Sequence, residues 1–160
     1  MKIVEFLILI PCRKGSKGVK NKNFLKIKNK SIYLYSLEHA KIIKKKYKSS
    51  LIGITTDKKN ILKKKNKDIF LIKRPAKISQ DKSKSSEYVT HALQYFKNKK
   101  TIFKNLIILQ PTCPLRNEKD LLQSVELYLS KKPSSLISVY KESYINQKVI
   151  YEKNKCYGKP

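Results

Sequence analysis

Glycine is scarce in this chain of 160 residues, with only 4, and cysteine is scarcer still, with 3. Cys12, Cys113 and Cys156 stand far apart and include no C-x-x-C pair. That spacing speaks against a zinc cluster or a disulfide framework, and isolated thiols suit a reducing cytosol. Acidic residues are few, 11 against 38 lysines and arginines, for a formal charge of +27. Arginine itself is nearly missing: Arg13, Arg74 and Arg116 are the only ones. The basicity is therefore lysine, scattered through every expected element beside abundant Ile and Asn, which is compositional drift rather than a selected basic face. Neither an aromatic-rich RNA motif nor a helix-turn-helix signature is present, so no specific nucleic-acid partner is expected. Long apolar runs are also lacking. The best, residues 3–10, is too short to cross a bilayer, contains Glu5, and leads into a charged loop rather than a small-residue cleavage site. The expectation is a soluble, cytoplasmic protein with no membrane partner.

What remains is enough for a core, since 40% of residues are hydrophobic and 9% aromatic. Short apolar runs alternate with longer amphipathic stretches. Residues 3–10 read as a buried strand, β-branched and continuous rather than alternating. Further strands are predicted at 51–55, 69–72, 106–109 and 135–139, and helices at 31–46, 58–67, 83–97 and 118–129, the third with Tyr88, Val89, Ala92, Leu93 and Phe96 at helical spacing on its apolar face. Strands separated by helices imply crossover connections and a mostly parallel sheet, the α/β class. Residues 149–151 and the turn-like Asn154 suggest a hairpin outside that rhythm. The domain reading is an α/β domain over 1–140, followed by a hairpin appendage over 141–160.

In open α/β sheets ligands sit beyond the carboxyl ends of the strands, so the segments 11–23, 55–57, 74–86 and 110–116 matter most. The first reads Pro11-Cys12-Arg13-Lys14-Gly15-Ser16-Lys17-Gly18, then Lys22-Asn23. Two of the four glycines fall here. Glycine permits positive φ and lets main-chain N–H groups turn inward as an anion-binding nest. Arg13, Lys17 and Lys22 would surround that nest with the fixed charge a polyphosphate requires. The spacing is neither that of a P-loop nor G-x-G-x-x-G.

This loop resembles the A-R-x-G-S-K-G…K-N signature of the sugar-acid cytidylyltransferases, specifically the CMP-sialic acid (acylneuraminate) synthetases. Four further matches follow in order. Thr55-Thr56-Asp57 is similar to their S-T-D, and Arg74-Pro75 to their R-P. Ser79-Gln80-Asp81 with Ser83, Ser85 and His91-Ala92-Leu93 resembles their A-x-D…S…H-A-L. Residues 109–116, L-Q-P-T-C-P-L-R, are nearly their L-Q-P-T-S-P-L-R.

The resemblance implies a three-layer, Rossmann-like sheet of the nucleotidyltransferase type. It also implies transfer of CMP from CTP to a nine-carbon sugar acid with release of pyrophosphate, assisted by Mg²⁺. Carried over position by position, Arg13 and Lys22 would hold the triphosphate as the catalytic cations. Cys12, Gly15, Ser16, Lys17 and Asn23 would complete the nucleotide loop. Arg74 and Ser85 would border cytosine or ribose and Gln110 would reach the sugar acid, while Arg116 is equally suited to binding an acidic group of that substrate or to packing the P-L-R turn. For Asp57 a metal ligand and a helix cap are equally open, whereas Asp81 reads as a cap for the helix at Ser83. The resemblance makes residues 1–140 the nucleotide-binding domain and 141–160 the start of an incomplete dimerisation arm, the element that makes the family's homodimer. The family's acidic D-x-D-like pair lies beyond residue 160, so no metal ligand is assigned. The expected consequence is a form that binds CTP weakly and turns over poorly. From a different class, a non-catalytic protein whose basic loop grips nucleotides or nucleic acids through their phosphates remains the alternative.

Overall fold

The computed structural model describes residues 1–15, 18–63 and 68–139, together with the main chain of residues 152–154 and 157–159. They fall into two compact units, Met1–Glu118 and Lys119–Pro160.

In the first unit, the continuous apolar run makes β1 (Lys2–Pro11), buried from Phe6 onwards on both faces. Such a strand is stable only at the centre of a sheet, where helices cover both sides. It lies between β4 (Ser50–Thr56) and β6 (Thr101–Ile108), with β5 (Ile69–Lys73) beyond β4, in the order β5-β4-β1-β6. All three pairings are parallel, with Leu7 opposite Leu51 on one side and Leu106 on the other.

Side chains alternate across β1, and each set recruits its own helix. Phe6 meets the Tyr47 ring edge-on at 5.3 Å, where α1 (Ile32–Lys46) ends. Leu7 and Leu9 point the other way, into a cluster with Ile72 and with Tyr88, Ala92 and Phe96 of α3 (Ser85–Lys97). Phe96 is the hub of that cluster, edge-to-face with Phe70 and Phe103 at 5.0 Å each. Burying one such ring contributes about 1.5–3 kcal/mol. Gly53 leaves room for this packing: an added Cβ would come within 3.3 Å of the Ile72 side chain and 3.4 Å of that of Leu9, so both would have to shift slightly. The result is a parallel α/β sheet, as the pattern of runs implied, in the three layers that the resemblance implied.

Local signals set the connections. A hairpin of β2 (Lys26–Ile27) and β3 (Lys30–Ser31) turns through Lys28 and Asn29, both at positive φ, 46° and 63°. That is the turn whose twist suits a two-residue hairpin. The Tyr35 hydroxyl fastens it to α1 by donating to the Ile27 carbonyl at 2.8 Å. A short helix, α2 (Lys59–Leu62), follows β4 within the stretch 58–67 where one was expected; residues 64–67 of that stretch lie outside the described part. At the start of α3 the Glu87 carboxylate accepts the Lys84 N–H at 2.7 Å. Glu87, not Asp81, therefore supplies the anion at that helix start, and the helix begins two residues later than expected.

The second unit holds α4 (Glu118–Lys131), which ends where Lys132 takes a left-handed φ of 47°. It also holds an antiparallel hairpin, β7 (Glu152–Asn154) with β8 (Tyr157–Lys159). The strand expected at 135–139 does not form. Its apolar side chains are largely exposed, Ile137 at 73% and Val139 at 69%. An apolar β-branched run becomes a strand only when a neighbouring edge takes up its main-chain hydrogen bonds. Residues 149–151 lie outside the described part. Among the described residues no helix is long and apolar enough to cross a membrane.

Candidate active site

Strand order fixes where a ligand fits. From β1 the chain runs out through β4 to β5, then returns to place β6 on the other side of β1, so the order reverses between β1 and β6. Loops leaving the carboxyl ends of those strands diverge there and leave a crevice. The structure has a cavity of about 180 Å³ at this edge. Pro11 and Arg13 line it from the end of β1, Arg74 from the end of β5, and Gln110 from the end of β6. Ile78, Gln80, Asp81 and Ser83 line it from the connection into α3, whose first turns add Ser85 and Tyr88.

Arg74 is the most firmly held of these side chains. It is 5% exposed, donates from Nε to Thr55 Oγ1 at 3.2 Å and from Nη2 to the Thr55 carbonyl at 3.1 Å, and lies over the Tyr88 ring at 4.7 Å. Burial lowers its pKa, an effect opposed mainly by the charge of Asp57. A guanidinium keeps its proton under such pressure, so the cavity wall carries a fixed cation with a stacked aromatic behind it.

Arg13 is held differently. Its carbonyl accepts an N–H from the buried Asn23 side chain at 3.1 Å, pinning the short 3-10 turn Lys22–Phe24 to the mouth of β1. Its guanidinium pairs with Asp81 at 2.6 Å, and both side chains stay part-exposed. Asp57 accepts the Lys14 main-chain N–H at 2.6 Å, so the loop after β1 is tied to the loop after β4. Asp57 is thus a loop fastener rather than the cap of α2, whose N-cap position is Lys58.

Gln110 donates from Nε2 to the Tyr88 hydroxyl at 3.3 Å. Tyr88 therefore touches both Arg74 through its face and Gln110 through its hydroxyl. Sequence reading gave it only to the apolar face of α3; the available signal was its position three residues after Ser85, which puts both on one helical face. Arg116 does not line the cavity. Its guanidinium donates to the Gln110 carbonyl at 2.6 Å and to Ser36 Oγ at 3.3 Å, bracing the 110–116 turn against α1. Behind it, His39 Nε2 lies 3.1 Å from the Arg116 carbonyl, which fixes the proton on Nε2, and the buried Nδ1 has no partner. Burial, then the Arg116 charge, lowers the His39 pKa.

Other expected residues lie elsewhere. Lys22 is exposed and outside the cavity wall, with its N–H on the Val19 carbonyl at 3.2 Å. Cys12 is fully buried, its N–H bonded to the Thr55 carbonyl and its own carbonyl to Thr56 Oγ1. Burial drives its thiol far above the ordinary range, so it stays protonated and unreactive. Gly15 and Gly18 do not use positive φ, contrary to the reading of the loop; a Cβ at either would meet nothing within 4 Å. Asn21 takes the left-handed conformation instead, at φ 56°. Ser16 and Lys17 lie outside the described residues. Among the described residues no three acidic, histidine or cysteine side chains are grouped to hold a metal ion. Asp57 and Asp81, the acids nearest the cavity, are engaged as above. The residues present do not fit a Mg²⁺ site of their own, and no step below is routed through one.

A family model described as cytidylyltransferase matches residues 7–156, nearly the whole chain. The chain belongs to the cytidylyltransferase family. Among curated relatives, this family member is 28% identical over 144 residues to the N-acylneuraminate cytidylyltransferase of Escherichia coli O18:K1:H7 (89% of this chain, 33% of that protein). It is 35% identical over 141 residues to the post-translational flagellin modification protein B of Campylobacter coli (84% and 57%). To the pseudaminic acid cytidylyltransferase of Campylobacter jejuni it is 27% identical over 156 residues (94% and 66%). The chain thus spans between a third and two thirds of the length of these relatives. Two solved structures share its fold. One is a cytidylyltransferase from Leptospira borgpetersenii, with TM-score 0.57 and 22% identity over 81% of this chain and 50% of that one. The other is a CMP:2-keto-3-deoxy-manno-octonic acid synthetase complexed with CTP, with TM-score 0.52 and 15% identity over 80% and 48%. The fold is therefore the Rossmann-like one of the nucleotidyltransferases.

Proposed function

We propose that this chain carries the nucleotide-binding part of an enzyme that moves CMP from CTP to a sialic- or pseudaminic-type sugar acid, releasing pyrophosphate. The observation that carries this reading is convergence: Arg13, Arg74, Ser85 and Gln110, far apart in sequence, line one cavity at the switch point of a cytidylyltransferase-family sheet. At about 180 Å³ the cavity is smaller than the roughly 300–1,000 Å³ of a whole small-molecule site, so it takes one end of the nucleotide. Arg74, stacked and immobile, suits the planar base or the ribose. Arg13, on the open loop, suits the phosphates, with Lys22 and the loop amides beyond the cavity wall assisting. Gln110 faces the sugar acid, and Arg116 shapes its turn from behind. In the reaction a sugar hydroxyl oxygen forms a bond to the α-phosphorus, and the α–β phosphoanhydride bond breaks. Pyrophosphate carries the electron pair away, and the hydroxyl proton passes to solvent. Cations held in place before the reaction stabilise the charge that develops on the leaving group. Mg²⁺ and a second subunit belong to this proposal as groups the whole enzyme would add, and the cytoplasm, where CTP is made, is its place of action.

Calorimetric titration tests the reading. CTP is expected to bind about tenfold or more tightly than ATP, because a site built for one base leaves buried polar groups unpaired with another. Equal affinity for both, falling steeply with salt, would instead mark a general polyanion binder. Pyrophosphate release with sialic and pseudaminic acids in parallel distinguishes the acceptors.

A further inference from the structure

We propose that Asp81 is a built-in counter-anion for Arg13, holding the guanidinium until an incoming phosphate takes its place and reclaiming it when pyrophosphate leaves. The proposal rests on the reading of Arg13 as a phosphate-binding residue. Asp81 and Arg13 come from different loops, line the same cavity and meet at 2.6 Å. The contact runs between one nitrogen and one oxygen, leaving the two-pronged arrangement of the strongest guanidinium pairs unused. Side-chain exposures of 27% for Arg13 and 31% for Asp81 leave both open to an arriving ligand.

Asp57 shows what a structural aspartate looks like at this edge, since it accepts a main-chain N–H and fastens two loops together. Asp81 instead sits on an exposed stretch between the 3-10 turn Ala76–Ile78 and α3, with exposed Gln80 and Lys82 on either side. Moving it uncovers little packed surface. Its carboxylate and a nucleotide's phosphates carry the same sign and compete for the same guanidinium, so the two arrangements exclude each other. The exchange has a physical use. Arg13 and Arg74 repel one another across a small cavity, and Asp81 compensates that charge without a ligand. After transfer, it competes with pyrophosphate for Arg13 and so speeds release.

The test is calorimetric titration of CTP and of cytidine into the wild-type chain, Asp81→Asn, Arg13→Ala and the double variant, with thermal melts confirming that each is folded. Asp81→Asn is expected to bind CTP about threefold to tenfold more tightly, the scale of a half-exposed ion pair plus one like charge removed. Cytidine affinity should not change, and the double variant should match Arg13→Ala. Unchanged or weaker CTP binding by Asp81→Asn, while Arg13→Ala binds poorly, overturns the exchange and leaves the phosphate reading standing. Tighter cytidine binding would also overturn it. If Arg13→Ala binds CTP like wild type, the phosphate reading itself fails.

Discussion

Arg74 and Arg13 border one cavity, yet the protein holds them by different means. Arg74 is buried, hydrogen-bonded twice to Thr55 and stacked on Tyr88. Arg13 reaches from an exposed loop and is paired with an exposed aspartate. The buried cation is fixed by these contacts and acts as part of the wall. The exposed one keeps a replaceable partner. A nucleotide presents the same division, a rigid planar base at one end and a flexible, highly charged chain at the other. A prebuilt wall suits the first, because ordering it costs nothing on binding, and an exchangeable charge suits the second.

Removing the fixed side should have the largest effect. Arg74→Ala strips Thr55 of two donors and Tyr88 of its stacked cation in a buried place. It is expected to cost about 2–4 kcal/mol in denaturant unfolding and to abolish CTP binding. A loss of binding with stability unchanged would mean that Arg74 is no part of the wall. Next in size is a pH effect behind the Gln110 turn. His39 and His91 both have pKa values lowered by burial, with Arg116 and Arg74 respectively adding to the effect. Their folded-state values lie below the ordinary value near 6.5, so below that pH the unfolded chain takes up more protons than the folded one. Stability is therefore whole above about pH 6.5 and falls as the pH drops through the window beneath it. Chemical denaturation at pH 7.5 and 5.5 checks this, and a double His39→Gln, His91→Gln variant should show a shallower fall. The smallest expected effect on the fold lies in the exchangeable half. Gly15→Ala should change stability by no more than about 0.5 kcal/mol, since open space surrounds the position and its φ is ordinary. CTP binding should nonetheless weaken a few-fold if phosphates approach that main chain. An unchanged titration would remove Gly15 from the site.

Much of this was legible from residue order. The continuous run of β1 could only be a doubly covered strand, and the period of α3 marked Tyr88, Val89, Ala92, Leu93 and Phe96 as one stripe, of which Tyr88, Ala92 and Phe96 are buried, Val89 is half-buried and Leu93 is exposed. β6 began five residues earlier than read, at Thr101 rather than 106, because the polar Thr101, Lys104 and Asn105 interrupt the apolar run of its first half at an edge of the four-stranded sheet. The strand expected at 135–139 shows the opposite error: apolar composition without a partner edge is not a strand. Among candidate site residues, the glycine-containing loop and the R-P and L-Q-P motifs lie at the strand ends that line the cavity. The misreadings concern partners. Asp81 suited a helix cap by local rules, yet a carboxylate on an exposed loop pairs with whatever cation the fold brings near. Arg116 was equally suited to a ligand or to packing until α1 supplied Ser36 and His39 beside it.

Hydrophobic period and loop chemistry, both local along the chain, were enough to set the α/β class, the crossover order of elements and the strand ends that bear polar residues. Which of those polar groups meet was decided only when the sheet closed in the order β5-β4-β1-β6. Hydrogen bonds and ion pairs act over a few ångströms of space, and Arg13 with Asp81, or Arg116 with Ser36, come within that range only after about 70 to 80 intervening residues have been folded away.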